Sequence, residues 1–206
     1  MQSLVGERGH DSVDRIGRMS RSVHLFEQPD RFIVGTVGMP GERQFFLQAK
    51  EGPRVVSVSL EKQQVALLAE RLDALLDEVV RRSTDSVDIP SSINPGPDDT
   101  DPLETPLAAE FTVGALGLGW NSETQMIVIE AHEYVEDPGE IPDLEEDSDD
   151  EDAPDLLRVR LTGAQARSFV RRTNAVVSAG RPPCPFCELP LDPSGHICPR
   201  ANGYRR

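Results

Sequence analysis

The sequence predicts an α+β fold: two strand-strand-strand-helix units forming an antiparallel or mixed sheet with both helices on one face, followed by a small cysteine-bearing module at the C-terminus. Three observations carry this. Short alternating segments rich in β-branched and aromatic residues lead into a leucine stripe of helical period. The same succession returns after residue 110, and all three cysteines of the 206 residues fall between 184 and 198.

Residues 1–18 are polar with mixed charge and are expected to be a disordered leader. The first unit spans 19–82. Val23–Phe26, Phe32–Val37, Gln44–Gln48 and Val55–Leu60 each read as a strand, separated by the turn residues Pro29-Asp30, Met39-Pro40-Gly41 and Glu51-Gly52-Pro53. Val65, Leu68, Leu72, Leu75, Leu76 and Val79 then recur at helical spacing, with Ser59 as a candidate N-cap. Residues 83–109 hold five prolines among Ser, Asp and Thr without either period, and predict a linker or long exposed loop.

The second unit spans 110–180. Phe111–Gly117 echoes Phe32–Gly38, Met126–Ala131 echoes Phe45–Ala49, and Leu157–Leu161 repeats the strand that leads into a helix. That helix opens on Thr162-Gly163-Ala164-Gln165, the spacing of a capping box. Its apolar face is Ala166, Phe169, Val170, Thr173, Val176 and Val177, and Gly180 is placed to end it. Neither unit alone buries both its helix stripe and its sheet face, so the two are expected to share one core. The insertion 136–155 carries twelve carboxylates in twenty residues and predicts a disordered, self-repelling segment.

Net charge is -15, which opposes nucleic-acid binding by the body of the protein. The charge is uneven: from Asp155 onward nine arginines face three acids, a net +6 that leaves -21 on the remainder. Nucleic acid is therefore left to the C-terminal tail alone. No apolar run approaches the roughly 18 residues of a membrane span and no signal core opens the chain, so no membrane partner and a cytoplasmic location are expected.

The tail, 181–206, reads Cys184-Pro185-Phe186-Cys187, eight residues, then His196-Ile197-Cys198-Pro199. A Cys-x-x-Cys pair turns two sulfurs toward one point, and His196 with Cys198 completes a tetrahedron around one ion. Three thiolates and an imidazole suit Zn²⁺, and four protein ligands leave no vacancy for substrate, so the expected cofactor is a structural zinc ion. A redox Cys-x-x-Cys would sit at a helix start, which Arg181-Pro182-Pro183 and Leu189-Pro190 oppose. Disulfide pairing is disfavoured by an odd cysteine count without an export signal. Phe186, Leu189, Leu191, Ile197 and Tyr204 are too few for an independent core, so metal binding should supply the folding free energy of this segment.

Elsewhere, His24 with Glu27, and His132 with Glu130 or Glu133, are pairs capable of acid–base work on predicted strands; period two puts Glu130 and His132 on one side. No nucleophile-elbow, Walker or His-Glu-x-x-His pattern occurs.

Met19 to Phe26, the segment Asp30 to Ala49 and the ending Cys198 to Arg206 resemble an actinobacterial family of proteins with the domain of unknown function numbered 3090. The resemblance covers Met19 to Arg206. It supports the architecture and implies no particular reaction. The functional expectation is a non-enzymatic zinc-binding adaptor whose tail docks a protein partner through Arg181, Phe186, Arg200, Tyr204, Arg205 and Arg206. Two alternatives stand beside it: a hydrolase or transferase with its site between the units near His24 or His132, and RNA binding through the arginines of the tail.

Overall fold

The computed structural model describes residues 21–39, 41–83, 88–90, 99–136, 144–145, 153–179, 184–187, 198 and 200. The leader 1–18, Gly180 and the tail residues Arg181, His196, Tyr204, Arg205 and Arg206 lie outside them.

Among the described residues, seven strands and two helices follow in the order β1 (Val23–Phe26), β2 (Arg31–Val37), β3 (Gln44–Glu51), β4 (Arg54–Leu60), α1 (Lys62–Arg82), β5 (Val113–Asn121), β6 (Met126–Glu133), β7 (Leu156–Leu161) and α2 (Gly163–Ser178). The single sheet expected from the sequence is instead two sheets. β2-β3-β4 is antiparallel throughout, and β1-β7-β6-β5 is mixed, because β1 leaves the unit it precedes and pairs parallel to β7. The division has a local cause. Residues 110–112 run along the outer edge of β4, with Glu110 N–H donating to Ser57 O (2.8 Å) and Ser59 N–H to Phe111 O (3.0 Å). Thr112 O then accepts from Tyr134 N–H, and a bulge between Val113 and Ala115 turns the strand into the second sheet.

One core nevertheless spans both sheets. Val34, Leu47 and Val58 from the first, Ile129, Leu157 and Val159 from the second, Leu72 and Leu76 of α1 and Phe169 of α2 belong to one buried cluster. Phe32 stacks on Phe169 with centroids 4.8 Å apart, fixing α2 against β2. The helices pack on each other through Arg167, which is 4% exposed and reaches Asp73 and Asp77 of α1.

Both helix starts are capped. Thr162 and Gln165 form the expected box on α2. On α1 the cap is Glu61 with Gln64, not Ser59, whose hydroxyl lies in β4 and meets Thr112 Oγ1 at 2.9 Å.

Where it is described, the stretch 83–109 is a loop of exposed and half-buried residues that the body holds at particular points. Arg31 and Arg172 grip residues 99–102 through Asp99 and the carbonyls of Asp99, Asp101 and Pro102. Leu103 lies on Gly35, where a Cβ would come within 2.5 Å of its Cγ. Composition gave no sign of these contacts, because the partners that hold the segment are arginines distant in sequence. Within the acidic insertion, Leu144 lies over Gly117 and Gly119, and Glu145 pairs with Arg160.

Candidate metal centre

Pro185, Phe186 and Cys187 form a turn that folds Cys187 back toward Cys184, and Cys198 comes in from a second arm. The three sulfurs lie within 4.8 Å of one another, with Cys184 and Cys198 3.8 Å apart and both buried. All three are free thiols. Burial opposes a charged Cys184, but the amide N–H groups of Phe186 and Cys187 and the neighbouring Cys187 and Cys198 sulfurs outweigh it and hold that thiol below its ordinary pKa. Three converging sulfurs, one of them with its pKa lowered, could hold a metal ion. His196, the fourth ligand expected from the spacing, is outside the described residues.

Arg200 Nη1 donates to Phe186 O at 3.1 Å, so this arginine braces one arm of the cluster against the other. The Phe186 ring sits on the turn between two of the sulfurs and is 60% exposed. Of the six tail residues expected to meet a partner, these two are described; one is displayed and the other is tied to the turn.

The histidines do not share a site. His24 aligns with Leu157 and His132 with Leu156, adjacent residues of β7 whose side chains leave opposite faces of the sheet. His24 therefore lies on the face of the core residue Phe26, and His132 on the outer face. There His132 Nε2 meets Glu130 Oε2 at 3.2 Å, while Glu130 Oε1 accepts from Arg158 Nε (2.6 Å) and from Glu145 N–H (3.0 Å). Burial would raise the Glu130 pKa, but the hydrogen bonds from His132, Glu145 and Arg158 prevail and lower it to about 2. The alternation of ions continues outward, as Arg160 joins Glu145 (2.8 Å) to Glu27 and Asn121 Nδ2 donates to Glu145 Oε2 (2.9 Å). Period two located Glu130 beside His132. It gave no sign of Arg158 and Arg160, whose alternation on β7 puts both on the same face, nor of Glu145, which arrives from the insertion.

Among the described residues, no helix is long and apolar enough to cross a membrane. No curated protein and no solved structure matches the chain. A family model matches residues 24–198, a span that takes in all but the first residue of the two sheets, both helices and every cysteine, and on it the chain belongs to the family described as protein of unknown function, DUF3090.

Proposed function

We propose that the protein is a non-enzymatic cytoplasmic adaptor whose tail holds a structural zinc ion on Cys184, Cys187, Cys198 and His196 and thereby fixes Phe186 as a docking contact for a protein partner. The observation that supports it is the sulfur spacing. With Zn–S bonds of about 2.3 Å, two sulfurs of a tetrahedral site stand about 3.8 Å apart, the separation of Cys184 and Cys198. Softness favours zinc or another thiophilic ion over calcium or magnesium. A reducing compartment keeps three such thiols available for metal. A metal-braced turn holds the backbone under a large exposed aromatic ring, so docking has little chain left to order.

The enzyme alternative gains less support. Glu130 has both oxygens engaged and is ionised far below neutral pH, so it carries no proton to give, and the two histidines stand on opposite faces. The RNA alternative rests on the tail arginines, one of which, Arg200, is spent on the Phe186 carbonyl.

Two measurements test the reading. Elemental analysis of reduced protein should return one zinc per chain, and Cys184→Ser should return almost none. A Phe186→Asp chain should keep its zinc and lose the partner recovered by the wild type. Metal-free reduced protein would overturn the site, and undiminished recovery by Phe186→Asp would overturn the docking role.

A further inference from the structure

The outer faces of the two sheets meet the same dipeptide through the same three kinds of contact, although Glu145 lies in a turn with φ 66° and Glu104 does not. On the first sheet Gly35 aligns with Phe46, two residues before Gln48 on the central strand. On the second, Gly119 aligns with Val128, two residues before Glu130. A leucine lies over each glycine: Leu103 over Gly35, and Leu144 over Gly119 and its neighbour Gly117. Glutamate follows each leucine in the sequence. Its backbone N–H donates to the central-strand side chain, Glu104 to Gln48 Oε1 (2.8 Å) and Glu145 to Glu130 Oε1 (3.0 Å). Its carboxylate meets a cation, Lys50 at 2.9 Å in the first case and Arg160 at 2.8 Å in the second.

The two dipeptides come from unrelated connections, one between α1 and β5 and the other between β6 and β7. What they share is the face they lie on. A glycine notch that admits a leucine, an acceptor for the next amide and a cation for the next carboxylate select Leu-Glu by chemistry, and none of the three requires the ligand to be covalently attached. The first strap is a fixture, because Arg31 and Arg172 clamp it through Asp99 and three carbonyls.

We propose that the outer face of the mixed sheet is a docking site for an acidic turn of a partner protein carrying leucine followed by glutamate, a site that the chain fills in cis with the Leu144–Glu145 turn, in which Glu145 has φ 66°. Arg160 supplies the charge complementarity, Asn121 Nδ2 donates to the second carboxylate oxygen, and Glu130 reads the backbone amide. The inference is independent of the cysteine cluster. Cis occupancy lowers apparent affinity in proportion to the fraction of molecules with the face open.

The probe is a fluorescein-labelled peptide with the sequence of residues 140–149, Glu-Ile-Pro-Asp-Leu-Glu-Glu-Asp-Ser-Asp, followed by anisotropy against the full chain. A Leu144→Ser/Glu145→Ser chain should bind it at least tenfold more tightly than wild type, and adding Arg160→Glu should remove that gain. A peptide with Ser-Ser in place of Leu-Glu should not bind. If the double variant fails to fold, ¹⁵N spectra of the wild-type chain serve instead, because excess peptide should shift the Gly117 and Gly119 amide signals and Ser-Ser peptide should not. Equal binding by released and wild-type chains, or undisturbed Gly117 and Gly119 signals, would overturn the proposal. Wild-type dimers that disappear on Leu144→Ser would assign the site to a second copy and overturn the partner.

Discussion

Asp99 bridges two guanidinium groups, accepting from Arg31 Nε at 2.6 Å and from Arg172 Nη1 at 2.9 Å, and so ties β2 and α2 through a residue that belongs to neither. Arg172 is 9% exposed, and its Nε also donates to Val34 O on the edge strand β2. The Asp99 pKa is lowered, first by the Arg31 hydrogen bond, against the opposing effect of burial. Removing the aspartate takes the shared carboxylate from two cations that keep only carbonyl bonds and the distant Glu104 in a partly desolvated place, a defect that typically exceeds the loss of an exposed pair. Asp99→Ala is expected to destabilise the protein by about 2–3 kcal/mol in urea titrations, and Asp99→Asn, which keeps one acceptor, by less. Equal stability of Asp99→Ala and wild type would mean that the bridge forms without consequence.

Glu130 predicts a pH dependence of definite sign. Its pKa is about 2 in the folded chain and about 4.3 when exposed after unfolding. A depressed carboxyl pKa contributes stability that is complete above the unfolded value and disappears as pH falls toward the folded one. The contribution, on the order of 3 kcal/mol, should therefore be lost between about pH 4.3 and pH 2. Glu130→Gln should be less stable than wild type at pH 7, and the gap should narrow through that window. A gap that is constant with pH would show that the carboxylate is not the group responsible.

Leu103 and Gly35 offer a coupled pair. A Cβ on Gly35 would lie 2.5 Å from Leu103 Cγ, too close without displacing the strap. Overpacking of this kind costs about 1–3 kcal/mol, and truncating the leucine also destabilises by emptying the notch. Gly35→Ala combined with Leu103→Ala should lose less stability than the two single losses added, because the new methyl occupies space the leucine vacated. Strict additivity in the double-mutant cycle would place Leu103 elsewhere in solution.

Metal removal should act locally. The buried cluster that joins both sheets and both helices includes none of the cysteines. Chelation of the reduced protein should abolish the ordered environment of Phe186 while leaving the unfolding free energy of the body, from urea titration, within about 0.5 kcal/mol of the metal-bound value, the scale of a change outside the core. A large shift of the midpoint would join the tail to the cooperative unit of the body.

Strand and helix positions were legible because apolar periodicity reports a buried face directly. Val65, Leu68, Leu72 and Leu76 line α1 inward as their spacing requires, and the Thr162–Gln165 box caps α2. Sheet membership was not legible. Whether β1 pairs with β2 or with β7 depends on a parallel ladder across more than 130 residues, opened by Leu156 N–H donating to Ser22 O, and no local pattern encodes that choice. The cysteine cluster was legible from spacing alone. The Leu-Glu straps were not, since Leu103 and Leu144 are single apolar residues in polar runs, and their meaning lies in the glycines they cover.

Arg167 distinguishes a buried charge that stabilises by pairing from one that stabilises by packing. It is 4% exposed and touches Asp73, Asp77 and the Pro90 carbonyl, yet Asp73 and Asp77 are 45% and 62% exposed at the side chain. Deleting the arginine leaves both carboxylates in reach of water, so it does not strand a buried charge, and the main loss is of aliphatic stem and hydrogen bonds between the helices. Arg167→Met, which keeps the stem, should cost no more than about 1 kcal/mol. Arg167→Ala should cost about 2–3 kcal/mol. If both variants lost the same stability, the guanidinium itself and not the volume between α1 and α2 would be the stabilising element, and the loss should then diminish in 1 M salt.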